Sequence, residues 1–240
     1  MDTVKIDSKN VKMIAHRGLS GLEKENTAAA FVAAGNRQKY FGIETDVHTT
    51  KDGKFIILHD ADLKRVANVD LNVEQAELAE SQSHVMINWH GKAPRTDYRT
   101  PALEDYLEIC KKYGKHAILE IKCDMDETTL AGMFGIIKDY GMFDDTVIIS
   151  FIADVLVRVR KMFPDFPIQF LTGGCDEKTV EFLEKNRFGL DIYYPSLTED
   201  MIKLLHSKGI EVNIWTCDSK EDAEKYIAWG VDYITSNILE

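Results

Sequence analysis

Eight short runs of β-forming residues recur along the chain: VKMIAHRG (11–18), FGIETDV (41–47), HAILEIK (116–122), TVIISF (146–151), PIQFLTG (167–173), LDIYYPS (190–196), EVNIWTC (211–217) and VDYITSN (231–237). Between most of them lie segments of helical pattern: NTAAAFVAAGNRQ, ALEDYLEICKKYG, DETTLAGMFGIIKDYG, ADVLVRVRKMF, DEKTVEFLEKNRF, TEDMIKLLHSKG and SKEDAEKYIAWG. Several stop at glycine, the residue expected just past a helix end. In a chain of 240 residues this alternation predicts an α/β fold, one (β/α)8 TIM barrel spanning residues 1–240. Only three residues follow Asn237, so the last helix is expected to be missing or very short.

One stretch breaks the alternation. Residues 60–100 are too long for an ordinary loop and contain helical material such as NVEQAELAES, which predicts a small insertion on the barrel rim. It follows a hairpin. Asp52-Gly53 between VHTTK and KFIIL is a preferred pair for a two-residue turn, because both central positions need positive φ. That turn would pair Lys51 with Lys54 and set Asp46 opposite His59.

Barrels of this kind place their chemistry where strands end and the following loops begin. His16 and Arg17 end the first run, Glu44 and Asp46 the second, and Glu120 and Lys122 the third. Side chains alternate along a strand, so Glu44 and Asp46 share one face, as do Glu120 and Lys122. Three carboxylates brought together repel unless a divalent cation neutralises them, and all-oxygen ligation suits Mg²⁺ or Ca²⁺. Arg17 and Lys122 beside such an ion point to an anionic substrate group, with a phosphate suiting the arginine fork. His16 and His59 are candidates for general acid and base.

Composition narrows the partners. A formal charge of −11 argues against a nucleic-acid binder, whose affinity rests on many Lys and Arg contacts to phosphates. The start, MDTVKIDSKN, has no apolar core of signal-peptide length, and no later apolar run approaches a membrane span, so the expectation is a cytoplasmic protein without integral membrane association. Cys110, Cys123, Cys175 and Cys217 lack CxxC or zinc-like spacing and read as reduced packing residues.

The motifs HRG (16–18), ENT (25–27), ExD (44–46), TKDG (50–53), HD (59–60), PALEDYL (101–107), EIK (120–122), WT (215–216) and TSN (235–237) together resemble the glycerophosphodiester phosphodiesterases, in order and over nearly the whole chain. The resemblance implies a metal-dependent barrel hydrolase that cuts small-molecule glycerophosphodiesters into glycerol 3-phosphate and an alcohol. It implies Glu44, Asp46 and Glu120 as ligands of one divalent cation, Mg²⁺ or Ca²⁺, and His16 and His59 as the acid and base pair. Arg17 and Lys122 would hold the phosphate, and Trp215 would line the glycerol pocket. Lys24 stands where the family often has proline, which brings an extra cation to the mouth.

Other residues have blander expectations. Glu25 and Asn26 open a helix, with a supporting role near the phosphate favoured over plain capping. His48 shares the Asp46 face but sits nearer the turn, which favours a surface position. His84, His90, His116 and His206 have no motif around them and read as surface or packing residues. Two rival functions fit parts of the pattern: a metal-dependent barrel aldolase or epimerase acting on a phosphorylated substrate, and a catalytically inactive binding barrel. The first has no need of two histidines flanking a phosphodiester, and the second would typically have lost one of them or a carboxylate.

Overall fold

The computed structural model describes residues 2–87 and 95–240. His90 lies outside the described residues. In chain order the elements are β1 (Lys12–Ala15), α1 (Ala28–Gly35), β2 (Tyr40–Thr49), β3 (Phe55–Ile57), α2 (Lys64–Ala67), α3 (Leu78–Ser83), α4 (Leu103–Tyr113), β4 (His116–Ile121), α5 (Glu127–Asp139), β5 (Thr146–Ser150), α6 (Ala153–Met162), β6 (Ile168–Thr172), α7 (Glu177–Asn186), β7 (Gly189–Tyr193), α8 (Glu199–Ser207), β8 (Val212–Trp215), α9 (Lys220–Trp229) and β9 (Tyr233–Ser236).

Eight strands pair in parallel in the order β1-β9-β8-β7-β6-β5-β4-β2, and a β1–β2 pairing closes the ring into a TIM barrel. Five of the helix starts follow from side-chain caps. Thr27, Asp126, Asp176, Thr198 and Ser219 each accept a hydrogen bond from a backbone N–H in the first turn of the helix they open, satisfying a donor that has no partner within the helix. Gly114 takes the left-handed conformation that ends α4. Among the described residues no helix follows β9. Instead Leu239 forms a parallel bridge with Val4, and the Ile6 N–H donates to the Glu240 carbonyl at 2.8 Å. No helix among the described residues is long and apolar enough to cross a membrane.

Two apolar clusters locate the barrel wall. The larger joins outward strand residues such as Ile43, Val47, Leu119 and Ile121 to the helices. A smaller one contains strand residues only, Ile14, Ile118, Val147, Ile149, Leu171 and Tyr233, and fills the barrel interior. Beyond it along β1, β2 and β4 the inward positions turn ionisable.

The hairpin differs from expectation by one residue. β3 pairs antiparallel with β2 as Val47 with Ile57, His48 with Ile56 and Thr49 with Phe55. The cause is a longer loop: Thr50 N–H donates to the Lys54 carbonyl at 2.9 Å, and the Thr50 hydroxyl both donates to Asp52 Oδ1 at 2.6 Å and accepts from Lys54 N–H at 3.1 Å. The threonine side chain organises three loop residues instead of two. Asp46 is therefore opposite Leu58, whose N–H donates to the Asp46 carbonyl at 3.0 Å. His59 lies beyond the end of β3, where the chain has already bent.

The segment after the hairpin carries α2 and α3, held by an Asp62–Asn72 bridge. Leu63, Val66, Val73, Met86 and Tyr98 pack on Ile56 and Leu58 as a small separate core.

Candidate active site

Glu44 and Asp46 project from β2, and Glu120 from the adjacent β4, where Asp46 and Glu120 are register partners. The three residues present carboxylate oxygens that all lie within 4.8 Å of one another, and all three side chains are buried. Burial, then the charges of Asp46 and Glu120, pushes the Glu44 carboxyl well above its usual range. Burial and Asp46 raise Glu120 to about 7. Burial works against Asp46 too, but Arg17, Lys122, His59 and the Asn26 amide outweigh it and hold Asp46 at about 2. Asn26 Nδ2 donates to Asp46 Oδ2 at 2.7 Å, while Asp46 Oδ1 is fully buried with no hydrogen-bond partner among the described residues. Buried polar oxygens are rarely left unpaired. This oxygen has the Lys122 ammonium 3.5 Å away but no hydrogen bond, and such an oxygen amid three carboxylates fits a hard divalent cation bound through oxygen.

The HRG turn brings the groups of β1 to this cluster. Arg17 has φ of 52°, which directs its N–H to Glu44 Oε2 at 2.7 Å while its side chain reaches back over the site, with Nε 3.5 Å from Asp46 Oδ2. Gly18 follows at φ of 73°, and a Cβ there would stand 2.7 Å from the Ala30 carbonyl carbon, so only glycine lets the turn rest on α1. His16 Nδ1 donates to Asn237 Oδ1 at 2.7 Å, and Asn237 Nδ2 donates in turn to Asp218 at 2.6 Å. This fixes the ring with Nε2 3.9 Å from Glu44 Oε2. Burial, with help from Arg17, lowers the His16 pKa to about 4, leaving a neutral imidazole at neutral pH.

His59 is held from the other side. Its Nδ1 donates to Asp60 Oδ1 at 2.7 Å, and Asp60 Oδ2 accepts from Arg65 Nε at 2.6 Å. Arg65, on α2, also grips Glu25 with both Nη atoms at 2.8 Å, and Glu25 accepts from Arg17 Nη1 at 2.9 Å. An unbroken chain of ion pairs thus runs Arg17–Glu25–Arg65–Asp60 and ends in the hydrogen bond from His59 to Asp60. Lys122 Nζ bonds Glu120 at 2.8 Å and lies 3.5 Å from Asp46. His16, Arg17, Lys24, Glu25, Asp218 and Asn237 line a cavity of about 480 Å³. A larger one, about 590 Å³, opens at the opposite end of the barrel beside Arg160, Arg187 and Glu211, away from the carboxylates.

Trp215 ends β8 and meets Phe151 and Tyr193 edge-on or tilted, with ring centroids 5.6 and 5.7 Å away. Phe151 and Tyr193 are exposed, so the three rings form an apolar wall at the ends of β5, β7 and β8.

The structure therefore gathers His16, Arg17, Glu44, Asp46, Glu120 and Lys122, with His59 close enough to Asp46 to help hold it ionised, although by a different hairpin register than expected. His48 is a correction: it is buried, not on the surface, because Glu74 of the insertion closes over it. His116 stacks on Phe41 at 4.0 Å and His206 pairs with Asp232, while His84 is half-buried. Asp60 and Asn237 stand inside the HD and TSN motifs, whose second and third letters are hydrogen-bond partners of the histidines. Arg65, Phe151 and Tyr193 carry no local signal; only the fold brings them to the site.

A family model described as the glycerophosphoryl diester phosphodiesterase family matches residues 16–239. A glycerophosphodiester phosphodiesterase of Bacillus subtilis strain 168 is 26% identical over 93% of this chain and 82% of its own length. One from Caldanaerobacter subterraneus subsp. tengcongensis is 29% identical, covering 94% of this chain and 93% of the relative. Among solved structures, an Oleispira antarctica phosphodiesterase in complex with the product sn-glycerol-3-phosphate superposes with a TM-score of 0.87 at 27% identity, over 98% of this chain and 96% of that one.

Proposed function

Because the chain belongs to the glycerophosphoryl diester phosphodiesterase family, we propose that it hydrolyses glycerophosphodiesters to glycerol 3-phosphate and an alcohol, with one divalent cation, Mg²⁺ or Ca²⁺, held by Glu44, Asp46 and Glu120. The observation that carries this reading is the buried three-carboxylate cluster, with an Asp46 oxygen that has no hydrogen bond, flanked by two histidines whose Nδ1 atoms are both engaged by protein oxygens. When bound, the cation would neutralise the carboxylates and polarise the phosphoryl group.

The remaining work falls to this chain's own residues. Arg17 and Lys122 bind the phosphate oxygens. Trp215 packs against the glycerol carbons. With Nδ1 occupied, His16 and His59 each present Nε2 for proton transfer. One, neutral, takes the proton of the attacking hydroxyl on Nε2, while the other, entering as the imidazolium, gives its Nε2 proton to the departing alkoxide oxygen, so the phosphorus–oxygen bond breaks without releasing a bare alkoxide. The attacking group is the substrate's own hydroxyl beside the phosphorylated carbon, giving a cyclic phosphate that water then opens with the roles exchanged. Residues 1–240 act in this reading as one catalytic domain, and the insertion at about 60–100 contributes Arg65 to the site.

Both histidines and all three carboxylates are present, which disfavours an inactive barrel. The paired histidines have no part in a barrel aldolase or epimerase. The test is release of glycerol 3-phosphate from a panel of glycerophosphodiesters, in chelator and after adding back divalent ion. Turnover only with added ion is expected; full activity in protein verified to be metal-free overturns the site, and no release from any member overturns the function.

A further inference from the structure

Behind His59 lies a second group of ligand atoms of different chemistry. His48 of β2, Glu74 of the insertion and Cys123 just past β4 each offer one atom, a ring nitrogen, a carboxylate oxygen and a thiol sulfur, all within 4.8 Å of one another. We propose that these three residues form a second cation site, separate from the Glu44–Asp46–Glu120 cluster, that takes a borderline-soft ion of the Zn²⁺ class.

The ligand set argues first. Sulfur and imidazole ligands suit Zn²⁺ and its neighbours and are poor partners for Mg²⁺ or Ca²⁺, whereas three carboxylates have the opposite preference. The two groups would therefore sort ions by chemistry. Around a tetrahedral zinc with bonds of about 2.0–2.3 Å, ligand atoms stand about 3.3–3.6 Å apart. The three atoms already lie within 4.8 Å of one another, and the His48 Nδ1–Glu74 Oε1 pair, at 2.8 Å, would open by about 0.5 Å to admit the ion, for which Glu74, with its side chain 38% exposed, has room to turn.

The hydrogen bonds of His48 argue second and independently. Its ring is buried at 3% exposure, with Nδ1 2.8 Å from Glu74 Oε1 and Nε2 3.3 Å from the His59 carbonyl oxygen. Both nitrogens face acceptors, yet a neutral imidazole carries a single N–H. An ion on Nδ1 resolves the conflict: Glu74 becomes a fellow ligand, and Nε2–H donates to the His59 carbonyl. A metal-bound histidine that gives its other N–H to a backbone carbonyl is the usual supporting arrangement, since it fixes tautomer and ring orientation. A simple imidazolium–carboxylate pair would satisfy both nitrogens as well, and would leave Cys123 with its 3.7 Å contact to the Thr49 hydroxyl alone. The thiol is thus the group that separates the two explanations. Through the His59 carbonyl the ion would also tie down the backbone that carries a proton-transfer residue. That consequence rests on the proposed function; the binding site itself does not.

The experiment uses Co²⁺ as a spectroscopic stand-in for zinc on the full-length chelated protein. The expected result is a near-ultraviolet thiolate-to-cobalt charge-transfer band saturating at one ion, lost in Cys123→Ser and kept in Glu44→Gln, which disables only the carboxylate cluster. Zn²⁺ should displace the cobalt signal, and its calorimetric affinity should fall at least about tenfold in both Cys123→Ser and Glu74→Gln, a loss of about 1.4 kcal/mol. Glu74→Gln, at a half-exposed side chain, keeps the test alive if the cysteine variant folds poorly. Absence of the charge-transfer band, or a band unchanged in Cys123→Ser, leaves only the imidazolium–carboxylate pair and overturns the proposal. Turnover is read separately, so failure of the phosphodiesterase assignment and failure of this site give different results.

Discussion

Replacing Glu120 with glutamine isolates the electrostatic cost of the carboxylate cluster. Burial first, and then the Asp46 charge, raises the Glu120 carboxyl from its ordinary 4.5 to about 7. A carboxyl whose pKa is higher in the native state keeps its proton longer there than in the unfolded chain. Native stability therefore falls as pH climbs from 4.5 through about 7 and stays low above that. At roughly 1.4 kcal/mol per pH unit the loss is about 3 kcal/mol. For a chain of this length that amounts to about 6–12 °C in Tm.

His16 acts in the opposite sense over an overlapping range. Its native pKa is about 4 against an ordinary 6.5, so the unfolded chain takes up a proton that the native state refuses, and stability rises with pH across that interval. The wild-type profile mixes the two trends. The difference in Tm between Glu120→Gln and wild type cancels the His16 contribution, since both proteins carry it. Glu44, also repelled by Glu120, is relieved in the variant and adds in the same direction. Thermal melts in chelator should thus show the variant gaining on wild type by about 6–12 °C between about pH 4.5 and 7. Saturating divalent cation should then close the gap by stabilising wild type, by about 2.7 kcal/mol at 100 times Kd. Parallel melting profiles at all pH values would show that Glu120 titrates normally, and the electrostatic case for a cation at this cluster would fall with it.

His16→Ala and His59→Ala should each cost on the order of 10²–10⁴-fold in turnover while melting close to wild type; normal rates in both would remove them as acid and base. Gly18→Ala should lose about 2–4 kcal/mol by denaturant melt, from the left-handed φ and the 2.7 Å clash with the Ala30 backbone; an unchanged midpoint would mean that the HRG turn does not rest on α1. A glycerophosphodiester whose neighbouring hydroxyl is replaced by hydrogen should bind as a competitive inhibitor and stay uncut; its cleavage at a near-normal rate would rule out the cyclic intermediate.

The barrel was legible because its signal is periodic and redundant. Each strand-helix unit repeats the same pattern, so an error of a residue or two at any one boundary leaves the count of eight intact. The carboxylate cluster was legible for a related reason: alternation along β2 and β4 fixes which side chains share a face, and the parallel register then sets Asp46 beside Glu120. The hairpin register was not, because it depends on a single side chain. Asp52-Gly53 alone specifies a two-residue turn, and the Thr50 hydroxyl, by bonding both Asp52 and Lys54, favours the three-residue loop instead.

The shifted register alone does not place His59. Directly opposite residues share a face, so a one-residue change of register would turn His59 away from Asp46 if β3 continued as a regular strand. It does not continue: β3 ends at Ile57, and His59 is positioned by side chains from elsewhere, with Asp60 and Arg65 holding its ring and His48 its carbonyl. Arg65 belongs to a four-residue helix in the insertion and is tied through Glu25 to Arg17. The insertion thus does for His59 what strand register was expected to do. A residue placed by strand pairing can be located from sequence alternation alone. One placed by a chain of ion pairs between segments 40 residues apart can be located only after the fold is known.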